Sequence, residues 1–191
     1  MEYKLMEPPF PIKSFKEMNK KEAQLHFDWF IEQIPRRMKQ LKDVFTLSGE
    51  NADELDFSVD SLVKLWTWFI PKVIMALKTE QELMAEHQST PDWLRNAIKP
   101  EKISNKSLSI AMDIGIYFAE CIRKSHAQIQ WGLRTSPKSF ISVNKPILLG
   151  FKNNKDMDSA IILNNQAIKV SQGEKNPTAL YDLYKVWEKF I

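Results

Sequence analysis

The sequence predicts an α+β fold: a single mainly α-helical domain, residues 1–191, in which a small antiparallel β-sheet over about residues 128–151 packs on a central helix over about 104–124. Apolar residues recur at helical spacing along most of the chain, whereas they alternate with polar residues over 128–151. The chain is 43% hydrophobic and 27% charged, with a net charge of +3, which is typical of a globular protein.

The segment 104–124 predicts the central helix because its apolar residues cover most of the helix circumference. One stripe at 100° per residue contains Leu108, Ala111, Met112, Gly115, Phe118, Ala119 and Ile122. A glycine inside a helix costs about 1 kcal/mol relative to alanine. We therefore expect another element to approach Gly115 closely. Asp113 and Glu120 occupy the narrow polar arc.

The residues before the first helix predict an irregular arm on the surface, over residues 1–18, because three prolines fall within it. Asn19 and Glu22 have the spacing of a capping box, which predicts a helix start. Pro35 lies inside the apolar stripe of this helix and removes a backbone donor. We expect two helical pieces joined by a bend there.

Three further helices are predicted before the central one. Ser58 can cap a helix whose apolar stripe extends to Leu77, with a kink at Pro71. Thr79 starts a short helix that ends near His87, and a third helix covers roughly 91–98.

Beyond the central helix, the pattern predicts a small sheet of two or three strands. The segments that alternate or carry short apolar runs are 128–133, 139–143 and 146–151. Two helices follow, one starting at Asp156 or Asp158 and the last starting at residues 176–177.

Composition argues against several classes of chemistry. Cys121 is the single cysteine and lies on the apolar arc of the central helix, which is typical of a buried, unreactive thiol in a reducing compartment. The three histidines fall in separate elements without metal-site spacing. The longest uncharged apolar stretch, 65–71, is too short for a bilayer, and the first nine residues lack a signal-peptide core. We expect a cytoplasmic protein with no catalytic residue, metal or cofactor.

Asp113 and Glu120 are the most informative acidic residues. Seven residues separate them, which places them about 10.5 Å apart along the helix axis. Carboxylates that act together on one bond are roughly 5–9.5 Å apart, so the spacing disfavours a catalytic pair. The structural interpretation pairs Glu120 with Lys124, and Asp113 with a neighbouring backbone group or Lys106; if both are buried, they would accept backbone amides of the sheet. A partner-binding role is the alternative.

A basic patch follows Pro35 and consists of Arg36, Arg37, Lys39 and Lys42. It indicates a solvated helix face or a surface for an acidic partner. Nucleic-acid binding is disfavoured, because it needs a larger cationic field or aromatic platforms. Trp29 and Trp68 lie off the apolar stripes of their helices, and we expect them to pack under a neighbouring element rather than to anchor a partner.

One stretch carries a resemblance to known families. The run from Asp113 to Glu120, then Trp131, then 144–151 reads Asp-Ile-Gly-Ile-Tyr-Phe-Ala-Glu, Trp and Asn-Lys-Pro-Ile-Leu-Leu-Gly-Phe. It resembles uncharacterised bacterial families with a Gly-x-Tyr-(Leu/Phe)-(Gly/Ala)-Glu core helix followed by Trp and Asn-x-Pro strands. Some of these relatives are toxin-immunity and accessory proteins, so the resemblance implies a cytoplasmic binding protein. Ala119 stands where the families commonly have glycine.

The leading hypothesis is a non-enzymatic bacterial binding protein, of immunity type in its narrower form, that occludes a partner protein such as a toxin. The alternative is a small-ligand binder or enzyme with a pocket between the central helix and the sheet. A weaker alternative is a nucleic-acid-associated protein that uses the basic patch. The candidate ligand- or partner-binding residues are Asp113, Tyr117, Glu120, Trp131, Arg36 and Arg37.

Overall fold

The computed structural model describes residues 3–191 and confirms a mainly α-helical fold with small antiparallel β-structure. The helices are α1 (Lys20–Leu47), α2 (Ser61–Phe69), α3 (Glu80–Ser89), α4 (Asn105–Ser125), α5 (Ser159–Ser171) and α6 (Ala179–Glu188). The strands are β1 (Met75–Leu77), β2 (Glu101–Ile103), β3 (Gln130–Gly132) and β4 (Ile147–Leu149). β1 pairs with β2 and β3 with β4, both antiparallel.

Helix α4 is the centre of the core, as the sequence predicts. Ser104 caps it by accepting a hydrogen bond from the Ser107 amide, and nearly every side chain from Ile110 to Ile122 is buried. The close approach expected at Gly115 is confirmed, because an added Cβ would lie 3.1 Å from the Ser159 carbonyl oxygen at the start of α5. The glycine therefore lets α5 pack directly on α4.

Helix α1 corrects the prediction of two pieces. The capping box of Asn19 and Glu22 is present, but the helix then continues without a break through Pro35 for 28 residues. An interior proline costs about 3 kcal/mol or more. Buried side chains on both sides of Pro35, including Phe30 and Phe45, offset that cost by packing in the same core.

The segment after α2 also differs from the prediction. α2 starts at Ser61 and ends at Phe69, and Pro71 lies in a 3-10 turn, Ile70–Lys72, so that Leu77 belongs to strand β1 instead of a helix. The expected helix over 91–98 is a 3-10 helix, Asp92–Ala97. The β1–β2 sheet was not predicted because β1 is apolar throughout and β2 has a single apolar residue, so neither segment alternates apolar with polar side chains.

The second sheet lies where the sequence predicts it. Trp131 in β3 faces Leu148 in β4, and Leu148 also bridges Met157. The segment 139–143 forms turns and not a third strand. Asp158 caps α5 through the Ile161 amide, which decides between the two predicted start points.

Candidate functional site

The predicted site residues do not form one site, because the structure distributes them among four places. Asp113 is the most deeply buried of them, at 0% exposure, and Arg37 reaches it from α1 at 4% exposure. The guanidinium forms two parallel hydrogen bonds, Nε to Oδ1 at 2.7 Å and Nη2 to Oδ2 at 2.8 Å. Tyr3 donates its hydroxyl to the same carboxylate, and Arg37 Nη1 donates to the Lys4 carbonyl at 2.8 Å. This buried network fastens the N-terminal arm to α1 and α4.

Burial raises the pKa of Asp113 to about 6, and the opposing hydrogen bonds from Arg37 and Tyr3 keep it from rising further. Both carboxylate oxygens are engaged by protein donors. The predicted partners of Asp113, Lys106 or a backbone group, are therefore wrong. Spacing along α4 could not show that Arg37, 76 residues earlier in the chain, turns inward to this carboxylate.

The predicted basic patch is corrected by the same network, since Arg37 faces the core and not solvent. Lys39 pairs with Asp43 at 2.7 Å, one helical turn away. The Lys42 ammonium lies 5.7 Å from the centre of the Phe57 ring. Arg36 is exposed on α1. The patch therefore loses Arg37 to the core, and Lys39 and Lys42 each have a partner within the protein.

Tyr117 has a structural position apart from the other candidates. Its hydroxyl accepts a hydrogen bond from the Phe57 amide at 2.8 Å and shares one with Ser61 Oγ at 2.7 Å. Its ring stacks on Phe57, with 4.7 Å between the ring centres. Phe57 has a φ of 65°, which is unfavourable for a bulky residue. Tyr117 therefore holds the strained turn that leads into α2, and burial raises the pKa of its hydroxyl.

Glu120 and Trp131 do meet, as the alternative hypothesis requires. The Trp131 indole donates to Glu120 Oε1 at 2.8 Å, and Arg123 donates to both carboxylate oxygens at 2.9 and 2.8 Å. Burial acts to raise the pKa of Glu120, but these hydrogen bonds, with the charges of Arg123 and Lys124, hold it below its usual value. Glu120 therefore pairs with Arg123 and not with Lys124, the partner that the sequence predicted. Its donor from the sheet is the Trp131 indole and not a backbone amide.

These three residues line an open groove between α1, α4 and β3, which we call the central groove. Its volume is about 460 Å³, and its apolar wall comes from α1, including Phe27, Ile31 and Pro35. Of the six candidate binding residues, Glu120 and Trp131 line this groove, and the other four do not.

A second surface, formed by residues 74–103, was not predicted from the sequence. Its side chains do not build a hydrophobic core of their own. We call residues 74–103 the appendage: they comprise β1, α3, the 3-10 helix and β2. No residue from 70 to 102 is buried. The base is attached by the buried Ser107, whose hydroxyl accepts from the Ile74 amide at 3.0 Å and donates to the Lys72 carbonyl at 2.9 Å.

One face of the appendage sheet is covered and the other is open. Lys102 in β2 and Lys78, just beyond β1, form ion pairs with Glu82 and Glu86 of α3. Because alternate residues of a strand point to opposite faces, Leu77 lies on the other side of the sheet, where nothing in the described residues covers it. These ion pairs tie α3 to the covered face of the sheet.

The large apolar side chains of the appendage point into solvent. Trp93 is 79% exposed, Leu77 74% and Met84 63%. The other exposed apolar residues of this segment are Ile74, Met75 and Leu94. The sequence signal for this surface was weak but present: the helix after Thr79 lacks a full apolar stripe, and Trp93 lies among charged residues.

Within residues 3–191, no group of three or more histidine, cysteine, aspartate or glutamate side chains is arranged to hold a metal ion. None of the described helices combines the length and apolarity needed to cross a bilayer. Comparisons with protein-family models, with curated proteins and with solved structures found no match to this chain, so the family resemblance of residues 105–151 stays a prediction.

Proposed function

We propose that the chain is a non-enzymatic protein-binding protein and that the appendage is the part that enters its partner. The observation that carries this proposal is a segment with two strands and a helix but no buried residue from 70 to 102. Six of the exposed large apolar side chains fall in this one segment, and exposed apolar surface beyond single scattered residues marks interaction sites. Tryptophan is enriched among the residues that contribute most to binding, which makes Trp93 the expected anchor.

The charges of the appendage indicate the chemistry of the partner. Lys78, Lys102 and Arg95 are engaged in ion pairs within the appendage. Trp93 and Leu77 are the most exposed apolar side chains of the surface that remains. We expect a protein partner that presents an apolar cleft, since an acidic or nucleic-acid surface would find few free cations there.

A double variant tests the proposal. The change Trp93→Ser with Leu77→Ser removes the two most exposed apolar side chains of the appendage, and Ile141→Ser is the matched control because Ile141 is 70% exposed in a turn elsewhere. The full chain is immobilised and exposed to lysate of the source cells. We expect one stoichiometric protein to be retained by wild type and by the control and lost by the double variant.

Equal retention by all three chains would refute the role of the appendage. Sedimentation of the purified chain tests whether the partner is a second copy. If wild type is a dimer and the double variant is a monomer, a second copy of the chain, and not a different protein, occupies this surface.

In its narrower form, the proposal is that the partner is a toxin and that binding occludes it in the cytoplasm. The resemblance of residues 105–151 to immunity-type families supports this form, as does the single cysteine. The product of the neighbouring gene, expressed alone and together with this chain, is the direct test. Growth rescue by wild type but not by the Trp93→Ser, Leu77→Ser variant is expected, whereas no rescue and no complex would reject this pairing.

A small-ligand binder is the second candidate function, and the central groove favours it. Glu120, Arg123 and Trp131 form a fixed polar wall opposite an apolar one, which is the arrangement of many ligand sites. The Trp131 indole N–H signal in an NMR titration with a fragment library reports on this groove. A library without any fragment that shifts this signal would reject the candidate.

A further inference from the structure

The two strands of the appendage sheet each have an outer edge that no further strand of residues 3–191 covers. In an antiparallel pair, residues that bond to the partner strand alternate with residues whose backbone groups point away from it. Two hydrogen bonds at the ends of the ladder fix this alternation: Lys78 N donates to Pro100 O, and Ser104 N donates to Ile74 O, both at 2.8 Å. Residues 74, 76 and 78 therefore face β2.

Met75 and Leu77 consequently point their amide and carbonyl groups outward, along the free edge of β1. None of these backbone groups has a hydrogen-bond partner among the described residues. The side chains of both residues are exposed as well. The edge of β1 thus presents donors and acceptors at the spacing that a further strand needs.

The two edges of this sheet are protected to different degrees. Natural proteins protect an edge strand with charged residues, prolines or a covering element. At the outward-facing positions of β2, Glu101 is charged and Ile103 is buried in the core. From Ile74 to Leu77, the chain of β1 carries neither a charge nor a proline. The edge of β1 is therefore the one that is open to pairing.

The side chains of β1 indicate what kind of strand fits its edge. Residues directly opposite each other in an antiparallel pair share a face of the sheet. Residues opposite Met75 and Leu77 would thus lie on the open face, beside apolar side chains. The position between them lies opposite Ala76, on the face that carries the ion pairs of Lys78 and Lys102 with α3. A strand with apolar residues at every second position and polar residues between them matches both faces.

We propose that the partner of the appendage adds an extended segment to the free edge of β1 as an antiparallel third strand. This inference rests on the proposed function, because the segment forms one wall of the apolar cleft that receives Leu77 and Trp93. Bonds between the backbones supply affinity, and alternate side chains supply specificity. Antiparallel pairing is the sense found in sheets with one face open to solvent. A second copy of β1 lacks polar residues at the alternate positions, Ile74 and Ala76, so the occupant is a different protein.

A peptide probe tests the edge without knowledge of the partner. The probe is a heptapeptide that alternates threonine and valine, with threonine at both ends and N-methyl groups on the threonines, so that only its valine edge can pair. Amide exchange in the full chain is measured by NMR. At a peptide concentration about tenfold above its dissociation constant, exchange at Met75 and Leu77 should slow about tenfold, because only the unbound chain exchanges there. Exchange at Glu101, on the opposite edge, should be unchanged.

The same peptide with N-methyl groups on every residue is the control, since it has no amide proton to donate. It should leave exchange at Met75 and Leu77 unchanged. Equal slowing by both peptides, no slowing by either, or slowing at Glu101 instead would each overturn strand addition at β1.

Two variants of residue 77 test strand addition with the protein that the immobilised chain retains. Leu77→Pro and Leu77→Ala both remove the leucine side chain, but only proline also removes the outward amide proton, and the ladder bonds of Ala76 are kept. We expect Leu77→Pro to bind this protein about tenfold more weakly than Leu77→Ala. Glu101→Pro removes an outward amide on the other edge and should bind like wild type. Slow exchange at Ala76 and Lys102 establishes that the ladder is intact in each variant.

The proposed function and strand addition fail in different ways. If the Trp93→Ser, Leu77→Ser variant still retains the protein that wild type retains, the appendage is not the binding surface. If that variant loses the protein but Leu77→Pro and Leu77→Ala bind it equally, the appendage recognises its partner without an added strand, and only strand addition is overturned.

Discussion

Replacing Arg37 by methionine is expected to destabilise the fold by about 3–5 kcal/mol, the usual cost of breaking a buried ion pair. The estimate follows from the geometry: Asp113 is 0% exposed, and Arg37 supplies two of its hydrogen bonds. Methionine keeps the length of the side chain but leaves the carboxylate without its counter-charge. The Lys4 carbonyl loses its guanidinium donor as well.

Urea unfolding at pH 8, followed by circular dichroism, measures this free energy. The neighbouring exposed residue gives a matched control, since Arg36→Met removes the same charge one position away and should change stability by about 0.5 kcal/mol or less. The double change Arg37→Met with Asp113→Leu should recover part of the loss, because no charge then remains buried although the Tyr3 hydroxyl loses its acceptor. A difference of under 1 kcal/mol between the two arginine variants would refute the reasoning.

The same variant carries a pH dependence. Burial places the pKa of Asp113 at about 6 in the folded state, above the unfolded value of about 3.9. A carboxyl group with a raised folded pKa favours the folded state when protonated, and this contribution is lost as pH rises through the folded pKa. Without Arg37 that pKa rises further. The destabilisation of Arg37→Met should therefore be smaller at pH 5 than at pH 8, and an equal or larger loss at pH 5 would contradict this account.

Three smaller changes test other parts of the fold by the same unfolding measurement. Gly150→Ala should cost at least about 2 kcal/mol, because the residue has a φ of 102° and the new Cβ would lie 2.2 Å from the Gln128 carbonyl oxygen; a neutral effect would exclude this contact. Tyr117→Phe leaves the Phe57 amide without its acceptor and should cost about 1–3 kcal/mol. Asn19→Ala removes the α1 cap and should cost about 1 kcal/mol, and a stability equal to wild type would show that the cap is dispensable.

The core was predictable because its signals are local and repeated. The α4 segment shows its apolar arc over six turns, and the glycine at 115 marks the approach of another helix before that helix is known. Asn19 and Glu22 likewise mark a helix start within four residues. Such features depend on neighbours in sequence, and they were confirmed.

Pro35 and the appendage strands could not be predicted for a different reason. Whether a proline ends a helix depends on the burial gained by continuing it, which is decided by α4 and the rest of the core. The pairing of β1 with β2 joins residues that flank an entire helix and a 3-10 helix. The partners of Asp113 lie 76 and 110 residues away. The spacing of residues within one helix carries no information about contacts between such distant parts of the sequence.

The architecture separates the appendage from the N-terminal arm by their dependence on the core. The exposed side chains of the appendage, such as Trp93, contribute no burial, so their removal should change partner binding without changing the stability of the fold. The N-terminal arm is different, because the buried network that fastens Tyr3 and Lys4 through Arg37 and Asp113 belongs to the core. Loss of Arg37 should therefore loosen the arm and destabilise the fold together, whereas partner binding by the appendage should change only when its own exposed side chains are replaced.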